Sequence, residues 1–141
     1  MGLPFVLAAA AAGCSASAES GEIACQQRLV DIADNLSTSS PPGGVAGLVR
    51  AFRTMSGRYA AMTLTGCTED QRGTVPLLAR ATADLAASTE RAAAAGGIKP
   101  DLAASAIFLE FQDRLSGFEN RRAVLRRDLA AMRERRRVNG R

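Results

Sequence analysis

Residues 102–132, LAASAIFLEFQDRLSGFENRRAVLRRDLAAM, decide the fold. Ala104, Phe108, Phe111, Leu115, Phe118, Arg122, Leu125, Leu129 and Met132 recur there at spacings of three and four, the period that stacks side chains on one face of an α-helix. Pro100 and Asp101 open the segment, and the stripe runs for about four heptads. Its one charged member is Arg122. A cation inside a core needs a desolvated partner, so Arg122 is expected to mark the rim of a bundle or the start of a protruding segment. Ser116 and Gly117 are where the helix can bend.

The same period recurs upstream. Val75, Leu78, Thr82, Leu85, Thr89 and Ala92 form the inner stripe of a preceding helix, which Pro76 is expected to kink or restart because proline lacks the amide donor. Thr68-Glu69-Asp70-Gln71 reads as a capping box at its start. Before it, Val45, Leu48, Phe52, Met55, Tyr59 and Met62 predict a helix over residues 45–64, ended by Gly66. Cys25, Leu29, Ile32 and Leu36 predict a first helix starting near Glu22, and the Ser, Thr, Pro and Gly residues within 35–44 form a loop. Short connections between four such helices give an all-α, up-down four-helix bundle. At 1.5 Å per residue the fourth helix is about 54 Å long against about 32 Å for the second, so a long C-terminal helix protrudes. This topology returns the C-terminus to the end of the bundle where the first helix begins.

Composition fits one modest core. Hydrophobic residues make up 47% of the 141, yet aromatics only 4%, and the excess is alanine, the best helix former. The net charge of +4 is unevenly placed: residues 121–141 hold nine arginines against two acids. The chain has no histidine, which removes the commonest general base and metal ligand. No nucleotide loop, zinc spacing or hydrolase elbow occurs. The acid pairs Asp31/Asp34 and Glu110/Asp113 read as solvated faces, and Met55 and Met62 as core. No enzyme, metal site or cofactor is expected.

The N-terminus supplies an address. Residues 3–12 are apolar, too few to span a bilayer, which takes about 20, but the right length for the hydrophobic region of a signal peptide. Met1-Gly2 contributes no lysine or arginine, so the true start codon lies open. Ala11-Ala12-Gly13-Cys14 resembles the lipobox of bacterial lipoproteins, with Ala11 standing where that family usually has leucine. The resemblance covers these four residues and the apolar run, and no family is recognised for the rest of the chain. It implies cleavage before Cys14 and lipidation of that cysteine. Ala16-Ser17-Ala18 is also an A-x-A site for ordinary signal peptidase, and a non-exported alanine-rich tail is the third possibility.

Either exported form leaves Cys25 and Cys67 as a pair, which makes them the expected disulfide; the alternative is two buried free thiols. Residues 1–18 then form a signal peptide and tether, with 15–21 as the linker, and residues 19–141 form the helical bundle domain. The expected protein is a non-enzymatic lipoprotein, a binding or scaffold module on the periplasmic face of a bacterial envelope membrane. Arg126, Arg127, Arg133, Arg135, Arg136 and Arg137 are expected to meet anionic headgroups beside the anchor. The alternative is a soluble bundle secreted to the periplasm, holding a small apolar ligand or unfolded chain in a groove, or a protein partner through a coiled coil over residues 118–132. Export excludes nucleic acid as a partner; without export, RNA binding by the arginine helix is the competing reading.

Overall fold

A computed structural model describes the backbone of residues 3–35, 43–95 and 102–140, and side chains over 18–35, 43–95 and 106–140. Four α-helices follow one another: α1, Leu3–Asp34; α2, Gly44–Ala60; α3, Glu69–Ala95; and α4, Leu102–Asn139. No strand occurs among the described residues. The expected bundle is present. Helix α2 packs chiefly on α3, α3 on α4, and α4 back on α1.

Cross-helix pairs show the alternation of direction. Ser56 donates to the Ala79 carbonyl at 2.7 Å while Arg53 reaches Glu90 at 2.6 Å, so α2 and α3 run oppositely. Arg91 meets Glu110 at 3.2 Å and Arg114 meets Asp84 at 3.7 Å, setting α3 against α4. Arg126 pairs with Asp34 and Arg133 with Gln27, setting α4 against α1.

The core is thin, as its composition requires. Phe52 sits at its centre, edge-on to Phe118 with ring centroids 5.5 Å apart. Leu29, Ala33, Met55, Tyr59, Val75, Leu78, Leu85, Leu125 and Leu129 surround the pair. The stripe of α3 is buried from Val75 to Thr89. Thr82 and Thr89 satisfy their hydroxyls on the carbonyls of Leu78 and Leu85, each at 2.7 Å, which lets them stand in a core.

Several expectations need correction. Helix α1 begins at Leu3, not near Glu22, and passes through 15–21 as helix. The alanine run favours helix, Pro4 falls in the first turn where it is tolerated, and single serines and glycines cost too little to stop it. Helix α2 ends at Ala60, not Leu64. Beyond it Thr63, Leu64 and Thr65 are all exposed, so there is no apolar face to draw them into the helix. Helix α3 continues through Pro76 without restarting. Phe108, expected in the core, is 52% exposed. Leu36, the 36–42 part of the expected loop, Pro100 and Asp101 lie outside the described residues.

Cys25 and Cys67 form a disulfide, with Cα atoms 5.2 Å apart. Placing them together is a problem of levels, because Cys67 follows a longer climb than Cys25 has left to descend. Ending α2 four residues early removes about 6 Å of that difference, and residues 61–68 cross to α1 instead of rising further. Gly66, at φ +79°, makes the turn. A Cβ on Gly66 would lie 2.8 Å from the Gly21 Cα, so α1 and the corner touch backbone to backbone. Arg28 completes the joint by donating to the Thr65 carbonyl at 2.7 Å, with the Cys67 sulfur at 3.6 Å.

The capping box forms as the sequence indicates: the Gln71 amide donates to Thr68 Oγ1 at 3.2 Å, and the Thr68 amide donates to Gln71 Oε1 at 2.9 Å. Gln71 then extends past its own helix. Its Nε2 donates to the Glu22 carbonyl and to Gln26 Oε1, and Gln26 Nε2 donates to the Leu125 carbonyl at 3.1 Å. One buried polar chain thus ties α3, α1 and α4 at the disulfide end.

Candidate functional site

The strongest chemical asymmetry in the chain is the basic end of α4. By the levels of the ion pairs, the last turns of α4 pass the start of α3, so the helix protrudes beyond its α3 neighbour. It does not protrude alone, because α1 runs beside it in the opposite direction. Ile23 of α1 lies against Arg133, Arg136, Arg137 and Gly140 across an open recess of about 420 Å³.

The arginines singled out from sequence divide into two groups. Arg126 is held by Asp34, and that hydrogen bond raises its pKa further. Arg133 donates to Gln27 Oε1, while Gln27 Nε2 donates onward to Asp31 at 2.7 Å. Arg137 is bound by Glu134 one turn back through Nε at 2.9 Å, which raises the arginine and lowers the carboxyl pKa. Arg127, Arg135 and Arg136 are exposed and make no ion pair among the described residues. Two of these cations therefore hold α4 against α1, Arg137 is paired within its own helix, and three face outward.

The acid pairs also take on a role. Asp31 and Asp34, read as a solvated face, hold the basic helix against α1. Glu110 joins Arg91 and Arg114. Among the described residues no group of three or more His, Cys, Asp or Glu is arranged to hold a metal ion. Arg122 has the partner that the sequence reading did not find: Glu119, one turn earlier, bonds its guanidinium, which also sits 5.6 Å from the centroid of the Phe118 ring. The i, i+3 spacing was the available signal. Ile23 and Gln27 were missed as partners of the basic end because nothing on α1 alone points across the bundle.

A cavity of about 120 Å³ lies among Tyr59, Leu78, Thr82, Phe118, Arg122 and Leu125, below the roughly 300 Å³ at which small-molecule pockets begin. Tyr59 donates to the Leu29 carbonyl at 3.3 Å, and burial, with help from Asp34, pushes its pKa up to about 12. Leu125 and Leu129, which a coiled coil with another chain would use, are buried inside this one.

Cys14 falls within the helical backbone of α1, its side chain outside the described residues. Among the described residues no helix is long and apolar enough to cross a membrane. The fold and the site together describe a disulfide-linked helical bundle with one basic pole. Comparison with protein-family models, curated proteins and solved structures finds no match to this chain.

Proposed function

We propose that the protein is a non-enzymatic envelope lipoprotein, a binding or scaffold module anchored through Cys14 and oriented by its basic pole against anionic headgroups. The observation that supports this most is the antiparallel packing of α4 along α1. It carries Arg133, Arg136 and Arg137 to Ile23, nine residues after the lipobox-like Ala11-Ala12-Gly13-Cys14. Cys14 and the arginines then share one pole. The periplasmic face of a bacterial membrane is the location this reading implies.

Intact mass spectrometry of the protein recovered from a bacterial host tests the anchor. The expected product begins at Cys14 and carries a diacylglyceryl group; a product beginning at Glu19, or an unprocessed chain, overturns the lipoprotein reading. Orientation is tested separately, with a Cys14→Ser chain and phosphatidylglycerol vesicles. Each cation near an anionic surface contributes about 1 kcal/mol, so Arg135→Gln with Arg136→Gln is expected to weaken partitioning by roughly thirtyfold. Unchanged partitioning overturns the headgroup role.

A further inference from the structure

Away from the basic pole, α3 and α4 border a groove of about 560 Å³. Leu78 and Leu125 make its floor and are buried, whereas its walls are Leu77, 67% exposed, and Val124, 41% exposed. Two large aliphatic side chains thus stand in water at the same level on neighbouring helices. Arg121 and Asp128 also line the groove, on the face of α4 that carries Val124, and neither forms an ion pair among the described residues.

The spacing of these charges identifies the occupant. Arg121 precedes Val124 by three residues and Asp128 follows it by four, about 4.5 and 6 Å along the helix. A two-fold axis through Val124, perpendicular to α4, places Arg121 of one copy at the level of Asp128 of the other, and the reverse. The same rotation stacks Leu77 and Val124 on their own counterparts. A parallel pairing would instead set arginine on arginine and aspartate on aspartate.

We propose that this face is the interface of an antiparallel homodimer, with Leu77 and Val124 at its centre and two Arg121–Asp128 pairs flanking them. Isologous contacts of this kind are self-complementary by symmetry, and the flanking charges fix direction more than affinity. The arrangement sends the two basic poles in opposite directions. It is open to copies free of a membrane or held on two facing bilayers, and it does not rest on lipidation of Cys14.

The test is analytical ultracentrifugation of the full-length Cys14→Ser chain over a concentration series, which separates its failure from failure of the anchor. A monomer–dimer equilibrium is expected. Leu77→Arg is expected to raise the dissociation constant at least about tenfold with helicity and the disulfide unchanged, since the side chain is mostly exposed. Arg121→Asp alone weakens the dimer, and Arg121→Asp with Asp128→Arg restores it. A monomer throughout the series overturns the proposal. So does a dimer indifferent to Leu77→Arg, or a double swap no better than the single. If the monomer binds an apolar dye that Leu77→Arg releases, the groove belongs to a small ligand and the dimer is overturned.

Discussion

The two ends of this bundle are built differently. At one end Cys25 and Cys67 are bonded, Gly21 and Gly66 are in backbone contact, and Gln71 and Gln26 link α3 to α1 and α4. At the other end Val45, Phe108 and Leu109 are all at least half exposed, and the connections between helices lie outside the described residues. A chain with so few aromatics cannot fill both ends with apolar volume. Covalent and polar fastening at one end stands in for the missing core.

This contrast can be broken experimentally. The largest effect is expected from reduction, or from Cys67→Ser with Cys25→Ser. A separation of 42 residues corresponds to about 4 kcal/mol of chain entropy as an upper figure, or on the order of 10 °C in thermal midpoint followed by circular dichroism. A midpoint that does not move would mean that the polar chain alone fastens that end.

Next is the alkaline limit. Tyr59 is the only tyrosine, so the tyrosinate absorbance reads it alone. Its pKa of about 12 in the folded chain lies above the unfolded value of about 10. The native state keeps its proton where the unfolded state loses it, so stability is full below pH ~10 and falls as pH rises from about 10 to 12, by on the order of 2–3 kcal/mol. A midpoint near 10 in the native protein would place Tyr59 in contact with solvent and weaken the description of a sealed core.

Gly66→Ala follows. It combines a positive φ with a Cβ 2.8 Å from the Gly21 backbone, and about 1–3 kcal/mol of destabilisation is expected in urea titrations. Gly57→Ala, in open helix surface on α2, is the matched control and should be neutral or stabilising. The smallest effect belongs to the other end, where Phe108→Ser should cost no more than about 0.5 kcal/mol. A larger loss would show that Phe108 is covered in solution and that the two ends are more alike than the exposures indicate.

The parts legible in the sequence were those carried by periodicity within one helix. Leu78, Leu85, Phe118, Leu125 and Leu129 were placed correctly because each stripe repeats its own evidence, and Thr68 with Gln71 because a capping box is local. Contacts between helices were not legible. Gln26 lies among core residues of α1, yet only the positions of Gln71 and Leu125 explain its burial. The early end of α2 depends on where Cys67 must arrive, and the extended start of α1 on the absence of any strong breaker between Pro4 and Pro41. At the basic pole the arginines were visible as a block, but not the division between those held by Asp34, Gln27 and Glu134 and those facing outward.

The bond from Gln26 to the Leu125 carbonyl has one more implication. Alanine-rich helices present shallow ridges, and a neighbour displaced along them by one turn, about 5.4 Å, finds nearly the same surface to rest on. Such a slip would carry Arg126 and Arg133 a full turn away from Asp34 and Gln27, the side chains that hold them on α1. These two side-chain pairs, with the Gln26 bond to the Leu125 carbonyl, therefore act together as index marks for the register of α4 along α1.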